Sequence, residues 1–290
     1  MKSFSQRTKE SLLSLDVNRK CCRFSELLGI VLFAGRMRQG ELKVVSELEG
    51  TVKRVAELLK QCFGTNFDIQ QGKGYFFCIV SEKKIIDKMF DGGEKTGIPK
   101  GILTKECCRS AFLRGAFLGG GTVVDPNKNY NMEFLIPNEN VGSGFMCLVD
   151  ELGLGFKKTL RKGCIVTYVK NSESIGDTLA YMGAFSAQME LLNIKIEKEL
   201  RNDMNRVANS ETANMDKVLT ASAQQISAIR KIEENIGLEN IPDELREVAM
   251  LRSKHKDISL EKLGKMITPP LSKSGVNHRI KKIMSIAEDL

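Results

Sequence analysis

Histidine is scarce in this chain of 290 residues, with His255 and His278 its only two. Residues 1–254 therefore lack the side chain most used for acid–base work and metal ligation near neutral pH. No P-loop, HExxH or GxSxG motif is present, which leaves the common phosphoryl-transfer, metalloprotease and hydrolase chemistries without support. The eight cysteines include no CxxC pair, and their spacing fits no common zinc site. The adjacent pairs Cys21-Cys22 and Cys107-Cys108 are expected to be small buried core thiols. No catalytic residue, metal ligand or cofactor is expected. No run of about 18 apolar residues occurs, so no transmembrane helix is indicated. The opening MKSFSQRTKESLLSL lacks the apolar stretch of a signal peptide and reads as an amphipathic helix from near Thr8. The expected location is the cytoplasm, where thiols stay reduced.

What the chain does have is one motif written twice. CCRFSELLGIVLFAGRM (21–37) and CCRSAFLRGAFLGGGTV (107–123) share Cys21/Cys107, Cys22/Cys108, Arg23/Arg109, Leu27/Leu113, Gly29/Gly115, Leu32/Leu118 and Gly35/Gly121. A match this long at a fixed offset, 107 − 21 = 86, is an internal duplication. Farther along, Lys73-Gly74 matches Lys162-Gly163 at an offset of 89, and Ile85 and Asp87 match Ile175 and Asp177 at 90. That drift predicts a short insertion in the second copy's DPNKNYN segment (125–131).

Each copy predicts the same plan. The motif is a helix without proline. Leu42–Leu48 and Met132–Ile136 read as strands, and helices follow around Val52–Phe63 and Gly144–Leu152. FDIQQGKGYFFCIV and FKKTLRKGCIVTYV read as hairpins around glycine turns. Short helices at Glu82–Phe90 and Glu173–Met182 close the copies. The repeated motif glycines weaken an isolated helix by about 1 kcal/mol each, so their use is expected to be close approach of two helix backbones.

LLGIVLFAG (27–35) and LRGAFLGGG (113–121) resemble the LAGLIDADG motif of homing endonucleases, enzymes built from two αββαββα units. The resemblance spans about residues 20–190. It implies motif helices at a central two-fold and two sheets forming a saddle for DNA. The family's metal-binding acid stands at the eighth motif position, which here holds Ala34 and Gly120. Neither side chain offers an oxygen to a divalent ion. Asp125 has no counterpart after the first motif and reads as a turn aspartate before Pro126. A metal-dependent endonuclease would need acids from outside the motif.

After about residue 190 the texture becomes polar and rich in helix formers. Helices with a bend near 209–214 are expected. Asn205, Arg206, Asn209, Glu211, Ala213 and Asn214 make a polar group there, read as a structural joint or alternatively as a phosphate contact. Beyond it, Pro242 opens a helix at Asp243–Lys254, and Ser259 caps SLEKLGKMI, with Leu260, Leu263 and Ile267 on one face. Pro269-Pro270 cannot continue that helix. SKSGVNHRIKKIMSIAEDL begins a third, with Val276, Ile280, Ile283 and Ala287 as its buried stripe. This is a helix-turn-helix pattern whose third helix reads DNA.

Residues 262–287 contain no Asp or Glu but hold Lys262, Lys265, Lys273, Arg279, Lys281 and Lys282. A surface of one sign suits phosphate, and Asn, Ser and His side chains can reach base edges. The whole-chain net charge of +8 points the same way. The DNA-contacting residues expected are Lys273, Ser274, Asn277, His278, Arg279, Lys281 and Lys282. His278 has a second reading as a partly buried packing residue. A basic surface on a protein-docking module is the alternative for the helical trio.

NRVANSETANMDK (205–217), ISLEKLGKM (258–266) and PPLSKSGVNHRIKKI (269–283) resemble the WhiA family of bacterial DNA-binding regulators. The opening SFSQRTKESL (3–12) does so too, so the resemblance covers nearly the whole chain. It implies an α+β fold: a duplicated, degenerate LAGLIDADG-like domain at 1–192, with repeats at about 20–102 and 105–190. A helical linker at 193–225 and a sigma-factor domain-four-like helix-turn-helix at 226–290 would follow. It also implies a non-enzymatic transcription regulator of Gram-positive bacteria, linked to cell division, chromosome segregation and, in some members, sporulation. The expected partner is double-stranded promoter DNA, contacted through 272–282. The N-terminal saddle either adds nonspecific DNA contacts or binds another protein, and no membrane partner is expected. The internal two-fold is compatible with a monomer. A protein-interaction adaptor with weak DNA binding is the remaining alternative.

Overall fold

The structure, a computed structural model, describes residues 2–90, 97–99 and 101–290. The end of the first predicted repeat falls partly outside these residues. The chain forms two compact units, Met1–Lys198 and Glu199–Leu290.

The first unit opens with α1 (Phe4–Leu13). This helix starts before the expected Thr8 because Ser3 caps it, its Oγ accepting from the Gln6 N–H at 3.1 Å. The first copy is α2 (Lys20–Ala34), β1 (Gly35–Arg38), β2 (Glu41–Ser46), α3 (Glu49–Phe63), β3 (Ile69–Gln71), β4 (Phe76–Val80) and α4 (Lys83–Met89). The second is α5 (Glu106–Gly120), β5 (Gly121–Val123), β6 (Met132–Ile136), α6 (Glu139–Glu151), β7 (Lys157–Arg161), β8 (Cys164–Val169) and α7 (Ser172–Met182). Both are αββαββα, with antiparallel sheets ordered β1-β2-β4-β3 and β5-β6-β8-β7.

Strand register locates the insertion. Gly35 pairs with Val44 and Gly121 with Phe134, so the offset moves from 121 − 35 = 86 to 134 − 44 = 90 across one connection. That connection is residues 39–40 in the first copy and 124–131 in the second. In the β7–β8 hairpin, Lys162 and Gly163 have φ of 51° and 79°, the left-handed pair that a two-residue turn needs between twisted strands.

The helices α2 and α5 pack directly against each other at the centre of the unit. Each is buried almost all round, from Ser25 to Phe33 and from Ala111 to Leu118. A helix without a polar face belongs inside a core. Its backbone comes very near its partner: a Cβ on Gly29 would lie 2.4 Å from the Phe112 carbonyl oxygen. Phe33 crosses from the first copy to stack edge-on against Phe134 and Phe145 of the second. The apolar core therefore runs continuously through both copies.

Among the described residues, one carboxylate lies within that core. Glu26 is fully buried, and its two oxygens accept from Arg54 Nε and Arg114 Nε, each at 2.8 Å. The guanidiniums also donate to carbonyls, Arg54 to Leu15 and Arg114 to Met182. Nothing in the sequence spacing marked this triad, because its members lie on α2, α3 and α5.

α8 (Phe185–Asn235) is one helix of 51 residues. The helix is unbroken at 209–214, where separate helices were expected: residues 185–235 contain no Gly or Pro to interrupt it. Asn205, Arg206, Asn209, Glu211, Ala213 and Asn214 are exposed positions along it.

The second unit continues with a 3-10 turn at Leu238–Asn240, then α9 (Asp243–Lys254), α10 (Leu260–Gly264) and α11 (Lys273–Glu288). Its core joins Ile229 and Ile232 of α8 to Leu245 and Val248 of α9, Leu263 of α10, and Val276, Ile280, Ile283 and Ala287 of α11. The expected stripe on α11 is thus buried as read.

Candidate nucleic-acid interface

α11 is held by both ends and one face. Ser272 caps it, Oγ accepting from the Gly275 N–H at 3.2 Å. Ser259 caps α10 in the same way, through the Lys262 N–H. α10 ends at Gly264, earlier than the sequence suggested, and Ile267 reaches the core from the turn instead. Arg252, buried and without an ion pair among the described residues, ties the α9–α10 turn together. Its guanidinium donates to the carbonyls of Ile258 at 2.9 Å and His255 at 3.3 Å, and burial pulls its pKa down.

With its apolar stripe inward, α11 turns Lys273, Ser274, Asn277, His278, Lys281 and Lys282 to solvent. These positions follow i, i+4, i+8 along two adjacent rows, so they form one continuous polar band. His278 is exposed, which removes its reading as a packing residue. Arg279 differs from the rest: it is half-buried, with Nη2 3.5 Å from the Glu244 carboxylate and Nη1 donating to the Glu244 carbonyl. It braces α11 against the start of α9.

The six cations of the acid-free segment therefore divide. Lys265 pairs with Glu261 at 3.1 Å, and Arg279 with Glu244. Lys262, Lys273, Lys281 and Lys282 have no ion pair among the described residues. Three of these four lie on α11, so the exposed band carries positive charge that no neighbouring carboxylate neutralises.

The first unit offers a second surface. A cleft of about 1230 Å³ lies at the C-terminal ends of α2 and α5, and Ala34 and Gly120 line it. Glu47 is the only carboxylate among its described lining residues. Lys9 also lines it, with Nζ donating to the Leu118 carbonyl at 3.3 Å. Burial lowers the Lys9 pKa to about 8, with Glu47 opposing. Two cations, Lys9 and Arg36, and a single carboxylate make a poor seat for divalent ions, which need several oxygen ligands. Asp125 is the expected turn aspartate: its Oδ1 accepts from the Asn127 N–H at 2.9 Å, a bond that lowers its pKa.

Flanking the cleft, the strands of the two sheets carry equal charge, Arg36, Arg38 and Lys43 with Glu41 in the first and Lys157, Lys158 and Arg161 with Glu133 in the second. The first presents exposed Arg36 and Arg38, and Lys43 sits 3.7 Å over the Phe77 ring. In the second, Glu133 neutralises Arg161 at 2.8 Å.

A family model of the WhiA C-terminal HTH domain matches residues 204–287. A model of the WhiA LAGLIDADG-like domain matches residues 109–201. A protein of Alkaliphilus metalliredigens named "Probable cell division protein WhiA" is 35% identical over 99% of this chain and 98% of its own length. The chain belongs to the WhiA family. A WhiA of the same printed name from Ruminiclostridium cellulolyticum is 37% identical over 99% of this chain and 97% of its own. The crystal structure of full-length WhiA from Thermatoga maritima matches with a TM-score of 0.62 and 26% identity, covering 100% of this chain and 99% of that one. The separate N-terminal LAGLIDADG domain of WhiA matches at a TM-score of 0.51 and 18% identity, over 63% of this chain and 94% of that one, and shares the fold. The α+β reading, a duplicated LAGLIDADG-like domain followed by a helix-turn-helix domain, thus holds for this WhiA-family chain. No helix among its described residues is long and apolar enough to cross a membrane.

Proposed function

We propose that this WhiA-family chain is a DNA-binding transcription regulator that contacts double-stranded promoter DNA through α11. The observation that carries this reading is the exposed, acid-free band of α11. It combines three lysines with Ser274, Asn277 and His278, groups that can position on phosphate and reach base edges. Lys273, Lys281 and Lys282 serve phosphate. Arg279 contributes by bracing the helix and adds charge at its margin. Residues 226–290 act as the DNA-binding domain, and 193–225 as its helical connection.

The cellular role inferred is in cell division, matching the relatives' names, with chromosome segregation and sporulation as the family's further settings. The protein works in the cytoplasm at the nucleoid. The first unit acts as a non-catalytic platform, since Ala34 and Gly120 supply no ligand and the cleft holds one carboxylate. The surplus of cations on both of its sheets supports added DNA contacts, with a protein partner as the alternative.

The Lys281→Ala/Lys282→Ala variant tests the reading on a fragment defined by footprinting the native protein. Affinity should fall by roughly tenfold at low salt, and the slope of log K against log salt should drop by about 1 per lysine. Unchanged affinity and slope would remove α11 from the interface. Absence of any footprint on genomic fragments would favour the adaptor reading. Incubation with duplex DNA and magnesium should leave the DNA intact; cleavage that persists through stringent purification would restore the nuclease reading.

A further inference from the structure

The two motif helices bring four cysteines together. Cys21 and Cys22 lie in the first turn of α2, and Cys107 and Cys108 in the first turn of α5. Their sulfur atoms all lie within 4.8 Å of one another. The sequence concealed this, because the pairs are 86 residues apart and neither has the two-residue spacer of a common zinc knuckle. Packing of α2 alongside α5, with both N-termini at the same end, makes them neighbours. Nor are all four simply buried core thiols: Cys22 and Cys108 are buried, Cys107 is half-buried and Cys21 is exposed.

We propose that Cys21, Cys22, Cys107 and Cys108 form a closed tetrathiolate site for a single zinc ion. A zinc–sulfur distance of about 2.3 Å places tetrahedral sulfurs about 3.8 Å apart. Sulfurs already within 4.8 Å reach that spacing by small side-chain adjustments. An iron–sulfur cluster inserts several atoms between its ligands and would spread them farther. On binding, four thiols lose their protons to solvent as four zinc–sulfur bonds form, leaving a centre of net charge −2.

The surroundings suit that charge. Both pairs sit at helix N-termini, whose free N–H groups favour thiolate. The Arg19 guanidinium lies near Cys107, and Lys20 and Lys105 flank the pairs in sequence. The loops leading into the site are pinned identically in both copies: Arg23 Nε donates to the Val17 carbonyl and Arg109 Nε to the Leu103 carbonyl, each at 2.7 Å. Four protein ligands leave no open position, so the ion is structural. It would staple the N-terminal ends of α2 and α5, at the end of the motif helices opposite Ala34 and Gly120.

The test uses the full chain, purified under reducing conditions without chelator. Elemental analysis should find about one zinc per chain. Cys21→Ser/Cys107→Ser removes one partly accessible ligand from each helix and should abolish the zinc. Cys147→Ser/Cys164→Ser, exposed thiols outside the cluster, should retain it. Independently, cobalt(II) added to metal-stripped wild-type protein should give thiolate-to-cobalt charge transfer and the intense visible bands of a tetrahedral site, saturating at one equivalent. This second measurement holds even if the serine variant misfolds. Absence of both zinc and the cobalt charge-transfer band would overturn the site. So would equal metal loss in the control variant, a cluster-type iron spectrum, or a disulfide among the four cysteines in the reduced preparation.

Discussion

Replacing Glu26 with alanine should destabilise the first unit by about 3–5 kcal/mol. The carboxylate is fully buried, and the Arg54 and Arg114 side chains are only 11% and 10% exposed. Removing it leaves two guanidinium charges facing each other across a cavity in the centre of the fold. Their remaining bonds to the Leu15 and Met182 carbonyls hold both in place, so neither can swing out to water. Glu26→Gln should cost less, because the amide oxygen still serves one guanidinium while its N–H₂ faces the other. Combined replacement of Glu26, Arg54 and Arg114 by methionine or leucine should recover much of the loss, since no buried charge then remains. Urea unfolding followed by near-ultraviolet circular dichroism measures all of these. A Glu26→Ala midpoint equal to wild type would mean that the triad does not form. Total stability is commonly about 5–15 kcal/mol, so the alanine variant should lose from about a fifth of it to all of it.

Gly115→Ala should destabilise by about 3 kcal/mol or more, at the upper end of overpacking effects. A Cβ there would lie 2.1 Å from the Glu26 carbonyl oxygen and 3.0 Å from the Ile30 nitrogen. Both are backbone atoms of a buried helix and cannot rotate away, so α2 and α5 must separate. That separation would also disturb the Glu26–Arg114 pair, since Glu26 is the residue struck and Arg114 adjoins Gly115. The sign opposes local propensity, because glycine to alanine in an unpacked helix gains about 1 kcal/mol. Gly176→Ala provides the contrast: it lies within α7, and its Cβ would meet Leu191 at an ordinary 3.9 Å. That variant should be neutral or stabilising by about 0.5–1 kcal/mol. If both alanines stabilised the protein, the close approach of the motif helices would be refuted.

Much of the architecture was legible because the same pattern occurs twice. The matched glycines of 27–35 and 113–121 announced paired helices, and the offset drift placed the insertion at 125–131, inside the longer connection 124–131. The stretch Met132–Ile136 read as a strand and is β6 at those limits. The stripe Val276, Ile280, Ile283 and Ala287 fixed which face of α11 is exposed, and with it the candidate DNA contacts. The polar texture near 209–214 misled, because a backbone without Gly or Pro stays helical whatever its exposed side chains. The α1 start was placed late because Ser3 was not weighed as a cap. Arg279 read as one more cation, since its partner Glu244 lies 35 residues earlier, on another helix.

Repetition and periodicity by themselves determined the paired helix-and-strand plan and the basic character of the C-terminal helix, and the motif resemblance implied the fold class and the absence of both motif acids. These are properties of residue type and of contacts close in sequence. Tertiary structure alone decided that Glu26 is neutralised by two arginines from other helices, that Arg279 is a brace, and that two CC pairs become one cluster of four sulfurs. Each depends on side chains from separate helices meeting in space, where burial and distance set the chemistry and sequence spacing carries no record of it.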